Sequence, residues 1–431
     1  MHLDRILVLV PAGILLTVAA VFPCVVLAAT IHVPGDQPTV QAGLNAAGSG
    51  DTVLVACGTY YEHDISMKSG VCLRSETGKA DCVTIHAQGL GRVLYCDGVD
   101  NSARIEGFTI TGGLAMGDAW PPNVGGGISC VYSSPALSNC TFSGNSADQE
   151  GGGLYCYASS PAVTNCAFSG NSVSPGSGWG GGMACWEGSS PMVTNCAFYG
   201  NSAKRGGGMF CHSSSSPTVA SCIFSGNSTN EHGGAMCCSD SSPTLTNCTF
   251  SGNSSDISGG GIWLYGFSSA TLTNCTFSGN SSGIGGGMSS SSHGPTTLTN
   301  CTFCGNHGGG LACLPSVRFS LTLENTIIAF STTGLGIYCS DAGSIPLLTC
   351  CDLYGNAGGD WVGCIAGQAA INGNFSSDPF FCAAESGDVR LSCTSPCVNR
   401  YGCGQIGALG VGCGPTSVEY TTWGRIKSMF R

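Results

Sequence analysis

Through the middle of the chain, apolar and polar residues recur in one fixed order. In the copy that begins at Gly151, three glycines precede Leu154-Tyr155-Cys156. Ser159-Ser160-Pro161-Ala162-Val163, Asn165-Cys166-Ala167-Phe168 and Ser169-Gly170-Asn171-Ser172 follow. Strict alternation puts Leu154 and Cys156 on one face of a first short strand, Val163 inside a second, and Cys166 and Phe168 on one face of a third. Strands this short cannot bury their apolar side alone, so the pattern predicts coils stacked in parallel around one continuous core. The cysteine that opens the third strand falls at positions 140, 166, 196, 222, 248, 275 and 301, with gaps of 26, 30, 26, 26, 27 and 26. Loops are expected to absorb the irregularity.

Punctuation fits the same coil. Asn139, Asn165, Asn195, Asn247, Asn274 and Asn300 interrupt the alternation where a left-handed backbone is tolerated, and they are expected to stack into a ladder of side-chain hydrogen bonds. The triple glycines mark another corner, where a side chain would strike the next coil. Degenerate copies continue at Asn325-Thr326-Ile327-Ile328 and Cys351-Asp352-Leu353-Tyr354. The chain therefore divides into residues 30–113, an opening cap and first coils; 114–360, the repeat array; 361–413, a closing cap; and 414–431, a tail. In the opening cap, Thr39 is placed to cap a short helix carrying Val40, Leu44 and Ala47, which Gly48-Ser49-Gly50 ends. The tail from Thr421 reads as a short basic helix with Trp423, Ile426 and Phe430 on one side, for docking on the last coil or for attachment.

Composition changes the picture in two ways. With 68 Gly, 29 Cys and 9% charged residues in 431 positions, the chain is far from an average enzyme domain and suits one elongated repeat. A formal charge of −11 excludes a basic nucleic-acid or anionic-membrane face. Residues 1–29 carry an apolar run from Ile6 to Val26-Leu27-Ala28-Ala29, which reads as a signal peptide cleaved after Ala28 or Ala29, with an uncleaved anchor as the alternative. After cleavage no transmembrane span is expected. An oxidising compartment admits disulfides, and Cys364, Cys382, Cys393, Cys397, Cys403 and Cys413 form an even set that permits 15 pairings in a stapled cap.

Taken together, the repeats resemble the right-handed parallel β-helix of the pectin-lyase-like superfamily. Gly233-Gly234-Ala235-Met236 and Phe142-Ser143-Gly144-Asn145 are similar to the repeats of chlamydial polymorphic outer-membrane proteins. The resemblance implies an all-β solenoid of roughly a dozen coils, three short strands each, exported to the surface or surroundings of a bacterium. It covers about Thr30 to Cys413 and implies little about activity, because the superfamily includes lyases, hydrolases, adhesins and inert stalks.

Some chemical motifs are by-products of the repeat. Gly279-Asn280-Ser281-Ser282-Gly283 matches a serine-hydrolase elbow only because the turn recurs in every copy. Cys301-Thr302-Phe303-Cys304 has metal-ligand spacing but no second pair, so no metal site is expected. The column Cys130, Cys156, Cys185, Cys211 and Cys238 is continued by Leu264 and Ser290, which marks its members as core fillers.

If those cysteines point inward, their neighbours point outward. Along this column, which Cys313 and Cys339 resume, Tyr155, Phe210, Trp263 and Tyr338 hold the preceding position and Tyr157, Trp186, His212 and Tyr265 the following one, so one outer face is expected to be aromatic and open to a glycan. Superfamily enzymes bind polysaccharide along the first sheet, so the resemblance points to the same face. The preferred reading is a non-enzymatic protein that binds a polysaccharide or surface glycan there. Two alternatives stay open: a polysaccharide lyase or glycosidase, and a structural spacer. Charged loops beside the face supply the catalytic candidates Lys204, Arg205, Glu231, His232 and Asp256, since a hydrolase needs two carboxylates and a lyase a base with a cation or metal. No cofactor is specified, and calcium enters only as a condition to test. Oligomeric state is left open.

Overall fold

The computed structural model describes residues 28–117, 123–174, 176, 178–316, 320–341 and 343–414. All but the last two residues of the expected signal segment, and the expected helix of the tail, lie outside the described residues.

Each repeat forms one turn of a parallel solenoid. In the copy opened by Gly151, Leu154–Tyr157, Ala162–Thr164 and Ala167–Ser169 are the three strands, and each pairs in register with its counterpart one coil away. Stacked, they build a front sheet of 11 strands, a second sheet of 13 and a third of 12 among the described residues. The three-stranded coil and the dozen turns expected from the pattern are therefore present.

A fourth sheet was not anticipated. Six short strands, among them Ser172–Val173, Ser202–Arg205 and Ser228–His232, pair where the pattern implied only loops. Ala147, Val173 and Ala203 are buried along it, a signal too small to read beside the long apolar columns.

Stacked columns of side chains fill the interior, three of them built from phenylalanine and cysteine. Phe142, Phe168, Phe198, Phe224, Phe250, Phe277 and Phe303 stack with nearly parallel rings, centroids 4.4 to 5.0 Å apart. Both cysteine columns point inward as fully buried thiols, and no disulfide crosses the core among the described residues. Each thiol of the second column is held by carbonyls. The Sγ of Cys196, for example, donates to Thr194 at 3.2 Å and to Val163 at 3.5 Å.

The asparagines of the left-handed corner behave only partly as expected. Asn139 to Asn300 do take φ of 51° to 54°. Their side-chain contacts are few, however, with Asn165 to Asn139 at 3.3 Å and Asn274 to Asn247 at 3.1 Å. The continuous ladder belongs instead to the Gly-Asn-Ser turn. There Asn145, Asn171, Asn201, Asn227, Asn253, Asn280 and Asn306 are buried. The Nδ2 of Asn227 donates to Oδ1 of Asn253 and to the Phe198 carbonyl, both at 2.9 Å, and Oδ1 of Asn227 accepts from the backbone and side chain of Asn201. Burial explains the choice, because a buried amide must satisfy every donor and acceptor whereas the corner amides meet solvent.

The ends differ from the array. Val40–Ala46 form the opening helix, with Ala42 N–H donating to Thr39 Oγ1 at 3.0 Å; Glu62 accepts from the backbone of Val40 and Gln41, so it is framework. At the other end Cys382 pairs with Cys413, but Cys364 bonds Cys339 and Cys403 bonds Cys350, both partners lying in the coils. Cys393 and Cys397 stay unpaired, so the six cysteines are not a self-contained set. A fourth disulfide, Cys57 to Cys82, joins stacked coils near the start.

Candidate ligand-binding face

The sequence that builds the site is x-Gly-Gly-Gly-apolar-x-Cys-x. Gly206 has φ of +62°, and a Cβ on it would lie 2.4 Å from the Met209 carbonyl, so only glycine allows so tight a reversal. The reversal folds the residue before the glycines back over the front sheet. Val124, Glu150, Trp179, Arg205, His232 and Ser258 consequently form one parallel file along its outer edge.

That file covers the residues expected to be open. Tyr155, Phe210 and Trp263 point outward, yet they are only 2%, 2% and 6% exposed. Trp179 stacks on Phe210 at 5.4 Å, His232 on Trp263 at 4.2 Å, and the Arg205 guanidinium lies 5.7 Å from the Trp263 ring. These three aromatics are thus a buried packing layer, which corrects their assignment as an exposed binding platform. Alternation gave their direction but not the overhang above them. The residue preceding each triple glycine is the signal that reveals it, and Trp179 was missed for that reason.

The next file outward stays accessible. Tyr157, Trp186 and His212 are half-buried and Tyr265 is 47% exposed. Trp186 and His212 lie 4.4 Å apart, Tyr132 meets Tyr157 edge-on at 5.6 Å, and Tyr265 stacks on Trp263 at 5.1 Å. Tyr157, Trp186 and His212 come from consecutive coils, about 4.8 Å apart, and Tyr265 stands two coils beyond His212 with Ser239 between them in the file.

Of the charged candidates, the fourth sheet brings three together. Glu231 accepts from Arg205 Nε at 2.6 Å and lies 3.5 Å from Lys204 Nζ. Burial pushes its carboxyl up, but the two cations outweigh burial and hold it below the ordinary range. His232 places Nδ1 2.8 Å from Ser258 Oγ, and burial followed by the charge of Arg205 lowers its pKa, so the ring is neutral near pH 7. Asp256 is exposed one coil further on, beside a groove of about 310 Å³ lined by Ser202, Ser228 and Thr229, and it joins no ion pair among the described residues.

Glu150 is the carboxyl with unusual chemistry here. Burial raises it to about 7, opposed by a hydrogen bond with Tyr155. It lies three strand spacings from the coil of Glu231, about 14 Å, which is wider than the separation used by paired glycosidase carboxylates. Among the described residues, one group of metal-ligating side chains comes together. Cys57, Glu76 and Cys82 converge, but the two cysteines are bonded to each other, which removes the thiolates a metal would use.

This geometry defines a right-handed parallel β-helix protein. The family model described as a right handed beta helix region matches residues 63–277. No curated protein matches the sequence. Among solved structures, the chain is similar to pectate lyase Pel9A at 11% identity, covering 89% of this chain and 96% of that one, with a TM-score of 0.45. A mannuronic acid specific family 6 polysaccharide lyase from human gut microbiota matches at 12% identity, covering 82% and 91%, with a TM-score of 0.44. The tailspike gp49 of Acinetobacter baumannii bacteriophage Fri1, a capsular polysaccharide depolymerase, matches at 14% identity, covering 73% and 53%, with a TM-score of 0.32. Likenesses this distant carry no argument about activity. No described helix is long and apolar enough to cross a membrane.

Proposed function

We propose that the protein is an exported, bacterial cell-surface β-helix that holds a polysaccharide chain without cleaving it, along the file of Tyr157, Trp186, His212 and Tyr265. The observation that carries this reading is the file itself, in which three accessible rings follow one another at strand spacing and a fourth stands two coils on, beside a buried aromatic layer. Rings held this way lose little freedom on contact with a sugar face, and each contact is worth about 0.5–1.5 kcal/mol. The carboxylates support the absence of cleavage, since Glu231 is held by two cations and Glu150 stands too far away to act with it.

Retention on immobilised acidic and neutral polysaccharides tests the proposal. Trp186→Ala with Tyr265→Ala is expected to weaken retention by about tenfold. No new reducing ends are expected, with or without calcium. A lyase reading draws on one specific pair, neutral His232 beside the Arg205 cation, which have the character of a base and a carbanion stabiliser. Turnover that disappears in His232→Ala would replace binding by catalysis. Absence of both retention and turnover would leave a spacer.

A further inference from the structure

The second sheet turns a different surface outward. Its strands Thr218–Ala220, Thr244–Thr246, Thr271–Thr273, Pro295–Thr299 and Ser320–Glu324 are consecutive and parallel. Register places Thr218, Thr244, Thr271, Thr297 and Thr322 in one file, and Thr246, Thr273 and Thr299 in a second beside it. The residues between the files, Val219, Leu245, Leu272, Leu298 and Leu323, are fully buried, so no threonine can rotate inward without emptying the core. Within a file the spacing is about 4.8 Å, and between files about 6.6 Å.

The composition of this face is as informative as its order. On a chain of charge −11, the outward positions of the sheet from Ala136 through Thr322 carry no charge and no aromatic ring, and the one charge on these five strands is Glu324, which follows Thr299 at the end of the second file. Thr218, Thr244 and Thr271 are exposed and the other threonines partly so. One edge is bordered by a file of serines in which Ser190 N–H donates to Ser160 Oγ at 2.9 Å and Ser216 N–H to Ser190 Oγ at 3.2 Å, so this rim is also fixed in register.

We infer that this face binds a crystalline water surface, that is, ice. A flexible glycan or a protein gains nothing from two-dimensional periodicity, and both favour rings or charges, of which the two files carry none before Glu324 at their end. A second copy packed sheet on sheet would need apolar side chains to bury, and the files present hydroxyls. Only a lattice repeats in both directions. β-Branched threonine has one stiff torsion, so each hydroxyl and methyl stands in a fixed place. The hydroxyls order water by hydrogen bonding and the methyls confine it between the files.

The test uses the full chain, fluorescently labelled, and a slowly growing ice surface. The protein is expected to be incorporated into the ice and to separate the freezing from the melting temperature. Thr246→Lys combined with Thr271→Lys is expected to abolish both effects while leaving thermal unfolding and polysaccharide retention unchanged. Ser251→Lys, on the outer face of the third sheet, is expected to keep them. Exclusion of the wild-type chain from ice overturns the inference. So does equal incorporation of the threonine double variant. Retention on microcrystalline cellulose that is lost in the same variant, with no effect on ice, would reassign the face to a polymer lattice.

Discussion

The repeat array and the C-terminal end solve one problem, holding short strands together, with opposite chemistry. In the array, cysteines at core positions remain thiols, because Phe rings, amide ladders and in-register pairing already fix each coil between two neighbours. Past Cys339 the phenylalanine column is gone, coils shorten and three disulfides appear. The small core there gathers Ile327, Phe375, Leu391 and Ile406, with Arg400 lying over the Phe375 ring at 3.6 Å. Periodic packing makes cross-links unnecessary, and where the period fails covalent bonds replace it.

Four experiments probe that contrast. The largest effect is expected from Phe224→Ala, which opens a gap in the middle of the ring column and costs about 3–5 kcal/mol, read as a drop in the denaturant midpoint. Removing the Cys350–Cys403 bond, which spans 53 residues, by double serine substitution should cost the C-terminal end about 2–4 kcal/mol. Mild reduction should expose that end to protease and leave the array intact, and equal loss of both would break the comparison. Asn227→Ala strands the Asn201 side chain and the Phe198 carbonyl and should cost about 1–3 kcal/mol, sensed by hydrogen exchange in the flanking coils.

The smallest expected effect is a pH dependence confined to the end. Burial raises the Asp352 carboxyl to about 7, against its contacts with Ser377 N–H, the Cys397 thiol and Arg400. The folded end thus keeps a proton that an unfolded carboxyl, with an ordinary value of 3.8, releases earlier. The resulting stabilisation is complete below about pH 4, declines as pH rises to about 7, and is absent above that. Asp388, held to about 2 by Arg390, titrates below this window. Hydrogen exchange around Asp352 and Cys397 should therefore slow on acidification from pH 8 to 5, and Asp352→Asn should flatten the profile.

The coil was legible because its causes are local. Alternation located the inward faces, and the spacing of Cys140 to Cys301 gave the stacking. Relations set by the third dimension were less legible. Asn165 and Asn171 are both asparagines at turns, and nothing short of their burial says which makes the ladder. Tyr155 and Tyr157 are both outward aromatics, and only the fold-back of Glu150 and Trp179 decides which one is covered. Lys204, Arg205 and Glu231 hold matching places in adjacent copies, and their ion pairs follow from that register. Cysteine pairing between the end and the coils was hidden because Cys339 and Cys350 sit inside the array's own spacing.

The stretch from Cys166 to Cys185 takes 19 positions where that from Cys140 to Cys156 takes 16, and the surplus lies in the loop that delivers Trp179. Such tolerance has a genetic consequence. Near-identical copies invite unequal recombination, which adds or deletes whole coils while every remaining register is preserved. Each gain would lengthen the rod by about 4.8 Å and extend its outer faces by one row. Reach and the number of contact rows would thus be inherited as a copy number, adjustable in a single event without any new residue having to be selected.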